Sequence, residues 1–62
     1  MDKLLYRPRE AALVLGMSKT ALYELIRTKR IRSIKGGKFR FITADALREF
    51  VQTLEQQYKE VS

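Results

Sequence analysis

The chain contains no cysteine, no histidine and no tryptophan, and only one proline and three glycines among its 62 residues. Without cysteine there are no disulfide staples and no thiolate metal ligands. Without histidine as well, zinc sites, Ser-His or Cys-His nucleophile systems and imidazole acid/base chemistry are excluded. Carboxylates remain, but Asp45, Glu49, Glu55 and Glu60 gather toward one end with the spacing of a helix surface. The expectation is a protein that is not an enzyme and takes no metal or cofactor. Long apolar runs are also missing, since no stretch approaches the ~20 residues needed to cross a bilayer. The start, Met1-Asp2-Lys3-Leu4-Leu5, lacks the apolar stretch and cleavage site of a signal peptide. A soluble cytoplasmic protein with no membrane partner is expected. The length suits one domain spanning residues 1–62, with a core worth only ~3–5 kcal/mol.

What the chain does have is positive charge in one place. Seven of the fourteen residues from Arg27 to Arg40 are basic and none is acidic. Residues 1–42 carry eleven Lys/Arg against three Asp/Glu, a balance of +8, whereas residues 43–62 carry two against four. A field this lopsided divides the molecule into a binding side and a back, and the binding side suits a polyanion.

Local signals divide the chain into three helices and a hairpin. Pro8 fits the first turn of a helix, and Glu10 favours the positive end of its dipole. That helix runs through Ala11-Ala12-Leu13-Val14-Leu15 and stops at Gly16. Arg7 is a poor N-cap, so a frayed start or another acceptor is expected. Ser18 is a good N-cap for a second helix, from Lys19 to about Thr28. On that helix Ala21, Leu22, Leu25 and Ile26 fall within one arc of ~140°, while Lys19, Thr20, Tyr23 and Arg27 fall within an opposing arc of ~100°. Glu24 stands at the edge of the polar arc.

Residues 31–42 alternate as a hairpin does. A two-residue turn at Gly36-Gly37 sets Ile34 across from Phe39 and Arg32 across from Phe41. Ile34, Phe39 and Phe41 then share the face expected to be core, and Ser33, Lys35, Lys38 and Arg40 share the other. Thr43 caps a third helix with Asp45 in its first turn. Its apolar stripe is Leu47, Phe50, Val51, Leu54 and Tyr58.

The two short helices joined by Gly16-Met17-Ser18 meet the demands of a helix-turn-helix. Close crossing needs a small residue four before the glycine, and Ala12 is there. The shared core needs apolar residues beside the glycine and at six and nine beyond it, which are Leu15, Met17, Leu22 and Leu25. Gly16 can take the left-handed turn that other residues resist.

These residues carry a resemblance. Arg9-Glu10-Ala11-Ala12, with Leu15-Gly16-Met17-Ser18-Lys19-Thr20-Ala21-Leu22-Tyr23, resembles the opening of MerR-like winged helix-turn-helix modules. Ile31 to Phe41 resembles their wing, and Thr43 to Phe50 the helix that follows. The stand-alone form of this length resembles the small excisionases, the recombination directionality factors of phages and integrative plasmids. The resemblance covers roughly residues 4–54. Arg7 departs from it, standing where the family usually has a capping Thr or Ser, and the turn region is about one residue shorter than usual.

The resemblance implies an α+β, mostly α, winged helix-turn-helix of three helices, with a two-stranded wing between the second and third. It implies that the second helix enters the major groove of double-stranded DNA, the groove with a full base code. Ser18, Lys19, Thr20, Tyr23 and Arg27 would face the DNA, with Lys19 and Arg27 as candidates for a guanine edge. Lys35, Lys38 and Arg40 would be phosphate contacts or groove-inserted cations. Lys29, Arg30 and Arg32 complete the basic strip. It further implies cooperative self-association on DNA and a tyrosine integrase as partner, with the bound DNA bent toward excision.

Other readings of the same residues stay open. Tyr23 either faces DNA or packs on the hairpin. Glu24 either reads cytosine or restrains Arg27. Phe39 and Phe41 either pack in the core or stack on RNA bases. Tyr58 and Val61 either touch a partner or belong to a fraying end. For the whole chain the alternatives are a small MerR-like transcriptional regulator, a single-strand or RNA binder, and a protein-interaction module using the acidic third helix.

Overall fold

The computed structural model describes residues 3–58 of the chain. A short strand β1 (Leu5–Tyr6) leads into α1 (Pro8–Leu15), and α2 (Lys19–Arg27) follows across a tight turn. Then come β2 (Ile34–Gly36), β3 (Phe39–Thr43) and α3 (Ala44–Gln57). No helix among the described residues is long and apolar enough to cross a membrane.

Each helix begins where a side-chain acceptor is available. The Ser18 hydroxyl accepts from the Ala21 N–H at 3.1 Å, and the Thr43 hydroxyl from the Ala46 N–H at 2.9 Å. Arginine has no acceptor to offer at position 7. There the Glu10 carboxylate reaches back to the Arg7 N–H at 2.9 Å, which is one half of a capping box. The start of α1 is therefore held by another acceptor. At its other end Gly16 turns left-handed at φ 75°. The Met17 N–H then reaches the Ala12 carbonyl at 2.9 Å, and the Gly16 N–H reaches Leu13 at 3.1 Å.

Ala11 and Ala12 are buried at the crossing of α1 and α2, and small side chains let the two backbones approach. Leu22, with no exposed surface, fills the space beneath, and Leu15, Met17 and Leu25 pack around it half-buried. Ile26 and Ile31 continue this core toward the sheet, and Leu47 and Phe50 close it from α3. The apolar stripes are narrower than their sequence spacing predicts. Ala21 is exposed on α2, and Val51 and Tyr58 are exposed on α3. The other elements among the described residues leave each of them uncovered.

The hairpin is present, and β1 adds a third strand, giving the antiparallel order β1-β3-β2. The turn falls at Gly37-Lys38, one residue later than expected. Gly37 has φ 63°, the sign that a type II′ turn requires at its first central position. The pairs are accordingly Ile34 with Phe41, Lys35 with Arg40 and Gly36 with Phe39. Ile34, Phe39 and Phe41 do share a face, as the alternation predicts, but that face is not core. Phe39 is 47% and Ile34 50% exposed, and Phe41 is half-buried. The interior is reached by the opposite face at the base of the wing, where Ile42 pairs with Tyr6 and both are buried. The wing projects beyond the helices, so only its root can be covered.

Three helices around one small core, with a hairpin extending from it, make a winged helix-turn-helix, mostly helical.

Candidate nucleic-acid interface

The outer face of α2 presents Lys19, Thr20, Tyr23, Glu24 and Arg27 to solvent. Ser18 is also exposed, but its hydroxyl is engaged in capping. Lys19 lies with its ammonium 6.0 Å from the centre of the Tyr23 ring, at the outer limit of a cation–π contact. Arg27 forms an ion pair with Glu24, one turn earlier. The hydrogen bond from Arg27, and then its charge, holds the Glu24 carboxyl below the usual carboxylate range, and the same contact raises the Arg27 pKa. Glu24 thus restrains Arg27 in the free protein.

Beyond α2, Lys29 adopts a left-handed backbone at φ 63° and starts the link to the wing. Arg30 is exposed there. Arg32 points to the other side of the molecule, donating from Nε to Glu49 on α3 at 2.7 Å. Arg40 is half-buried and donates to the Ser33 hydroxyl at 3.1 Å across the hairpin. Lys35 and Lys38 are exposed on the outer strand and at the turn.

These side chains do not form one unbroken strip. A groove of about 200 Å³ runs between α2 and the wing, bordered by Tyr23, Lys35, Lys38 and Arg40. It joins a second groove of about 470 Å³, bordered by Lys19, Tyr23 and the start of α1, and the two share Arg7, Pro8 and Tyr23. A separate hollow of about 440 Å³ lies beneath the wing. Lys29, Arg32 and Arg40 rim it, and Ile26 and Ile31 line it. The basic run therefore splits about the wing, with Arg40 touching both sides. Thr20, Arg27 and Arg30 lie outside these grooves.

Two cations that the sequence reading did not select, Arg7 and Arg9, border the groove beside α2. Arg7 lies with its guanidinium carbon 4.5 Å from the centre of the Phe39 ring and 5.7 Å from that of Phe41. The sequence carried no signal for this, because only the pairing of β1 with β3 sets Arg7 on the same side as the two phenylalanines. Tyr23 lines the groove between α2 and the wing while keeping 41% of its surface exposed. On the back, α3 carries Asp45 paired with Arg48 at 3.1 Å. Among the described residues no cluster of acidic side chains could hold a metal ion. Tyr58 is 61% exposed, while Val61 lies outside the described residues.

No match was found among curated proteins or among solved structures. A family model described as a helix-turn-helix domain matches residues 5–54, from the first strand through most of α3. With that match spanning most of its length, and with the geometry above, the chain belongs to the helix-turn-helix domain family.

Proposed function

We propose that this sequence-specific DNA-binding domain acts as an architectural factor of the excisionase type. It would bind and bend attachment-site DNA, and so direct a tyrosine recombinase toward excision. The observation that carries the reading is the pair of grooves beside α2 and the wing, which share Arg7, Pro8 and Tyr23 and are bordered by Lys19, Lys35, Lys38 and Arg40. A helix in the major groove and a wing in the adjacent groove need one surface linking them, and Tyr23 and Arg7 supply the link.

In this reading Lys19, Thr20, Tyr23 and Arg27 meet base edges and flanking phosphates in the major groove. Ser18 caps the helix that carries them. Lys35 and Lys38 reach one sugar-phosphate strand beside the wing, and Lys29, Arg30 and Arg32 the other, with Arg40 between them. Arg32 keeps Glu49 as its partner until DNA competes for it. Phosphates neutralised on one side of the duplex favour bending toward that side. A single module of this kind covers only ~600–1,000 Å². Useful occupancy then calls for several copies on adjacent sites or a recombinase held alongside, which supports the architectural role over a lone regulator.

The test is an in vitro recombination assay with a matching integrase, with and without this protein. Excision is expected to rise over integration. Equal excision in both arms rejects the excisionase role and leaves a small MerR-like transcriptional regulator as the reading.

The exposed ring of Phe39 among Lys35, Lys38 and Arg40 favours a second reading, stacking on single-stranded bases. Competition separates the two. Duplex DNA carrying a selected site should displace RNA of equal length, whereas the stacking reading expects the reverse.

A further inference from the structure

Arg7 carries a charge that makes no ion pair among the described residues. Its backbone is held from both sides. Tyr6, just before it, pairs with Ile42. Arg7 itself stays extended, at φ −76° and ψ 159°. Its N–H donates to Glu10 at 2.9 Å, and its carbonyl accepts from the Ala11 N–H at 2.9 Å. One step further along the β1–β3 register, the residue across from Arg7 is Phe41, and Phe39 is its diagonal neighbour on the same face. The guanidinium therefore comes to rest 4.5 Å from the Phe39 ring centre and 5.7 Å from that of Phe41.

Contact with ring faces uses none of the hydrogen-bond donors of a guanidinium, which carries five N–H groups in its plane. Among the described residues none of them has a hydrogen-bond or ion-pair partner. Glu10, the acid near it, pairs with Lys3 through its other oxygen. If the side chain only shielded two aromatic rings, an uncharged aliphatic residue would serve as well. An arginine seated in this way has already lost much of its rotamer freedom in the free protein. A ligand that engages it does not have to supply that ordering.

Where the group sits indicates the ligand. Arg7 stands with Tyr23 where the two grooves meet, with Lys19 on one side and Lys35 and Lys38 on the other. A planar fork with free edges matches a group presenting two oxygens, such as a phosphodiester or a carboxylate. The cations on both sides favour a ligand that repeats its charge along a line, which is a nucleic-acid backbone.

We propose that Arg7 is a phosphate clamp of the DNA interface, seated in advance by Phe39 and Phe41. It would grip the backbone where the DNA passes from α2 to the wing. Arg7 is then a binding residue, and the two phenylalanines are positioning residues. The proposal rests on the DNA-binding reading but not on the excisionase role.

The experiment measures binding to a short random-sequence DNA duplex across a range of salt concentrations. Wild type is compared with Arg7→Met, Arg7→Lys and Phe39→Leu, and thermal melts are recorded for each. Arg7→Met is expected to flatten the slope of log K against log salt by about 0.9, the share of one phosphate. Its affinity at low salt should fall about tenfold. Arg7→Lys and Phe39→Leu keep the net charge, so both should retain the wild-type slope while binding more weakly. A wild-type slope and affinity in Arg7→Met would mean that the residue only shields the rings, and the clamp is overturned. If Arg7→Met does not fold, the other two variants decide, and wild-type affinity in both overturns it. A flat slope in the wild type itself rejects DNA binding, and the clamp with it.

Discussion

Lys29 takes at the end of α2 the backbone conformation that Gly16 takes at the end of α1. The two residues have φ values of 63° and 75°. Each is followed by the same pair of closing hydrogen bonds. At α2 the Arg30 N–H reaches the Leu25 carbonyl at 2.9 Å, and the Lys29 N–H reaches Ile26 at 3.1 Å. Glycine is the usual residue for this position, because a Cβ in the left-handed region costs about 1–2 kcal/mol.

Lys29→Gly is therefore expected to stabilise the fold by up to about 1 kcal/mol, since glycine also adds freedom to the unfolded chain. The same change removes a cation from the rim of the hollow beneath the wing. Salt titration with DNA should show a slope shallower by about 0.9 if that cation meets a phosphate. Chemical denaturation and the titration together give both numbers. A variant that melts earlier than wild type would contradict the strain.

The two faces of β3 make unequal demands. Ile42→Ala should cost about 2–5 kcal/mol, because the side chain has no exposed surface and its loss leaves a cavity. Phe39→Ala should cost far less, since nearly half of the ring is already in water. A urea melt of each variant checks the order, and reversed costs would mean that the faces of the wing have been exchanged.

In the proposed interface Glu24, paired with Arg27 in the free protein, competes with DNA for it. Glu24→Gln removes the competing charge and is expected to tighten binding to random duplex and steepen its salt dependence by about one phosphate contact. Arg27→Ala should cost about 1–3 kcal/mol at a selected site and relax its sequence preference. Binding isotherms on selected and random duplexes separate the two effects. No change in Glu24→Gln would show that the pair already yields to DNA without resistance.

Acid should loosen the start of α1. The Glu10 carboxyl is held below its usual value of 4.5, first by the hydrogen bond from Lys3 and then by the Arg7 amide. A lowered pKa in the fold means that the stabilisation is full above the unfolded value and is lost as pH falls through the folded one. The Arg7 amide resonance is expected to shift with a midpoint below 4.5, and to lose that step in Glu10→Gln. Added salt should weaken only the Lys3 part, because that pair is exposed. A midpoint at or above the usual value would contradict the contact.

The helices and caps were legible because their signals are local. Ser18, Thr43 and Gly16 act within a turn of themselves, and the four apolar positions around Gly16 need only one crossing to be satisfied. The sheet was less legible. Nothing near Leu5 or Tyr6 announces a strand, since the pairing residues Ile42 and Thr43 lie far along the chain. The face of the wing was misjudged for a related reason. Ile34, Phe39 and Phe41 made one face the apolar one against Ser33, Lys35, Lys38 and Arg40, but burial depends on what stands opposite, and Tyr6 stands opposite Ile42. Among the candidate residues, charge and helical phase set Lys19, Tyr23 and Arg27 on the outer face of α2, where the structure has them exposed. Neither could reveal that Arg32 turns to Glu49, or that Arg7 joins the groove, because both depend on elements remote in sequence.

The strand β1 also constrains when the domain can become whole. The Ala44 N–H donates to the Leu4 carbonyl at 2.9 Å, and Leu5 and Tyr6 pair with Thr43 and Ile42. During synthesis the helix-turn-helix segment emerges before any of these partners exist. Until Ile42 and Thr43 leave the ribosome, Tyr6 has no strand to join and the first helix has no anchored entry. Closing so long a loop carries an entropic cost that local helix formation does not repay. Folding is therefore expected to complete in one late step, once Ile42 and Thr43, and then Leu47 and Phe50 of α3, have left the ribosome.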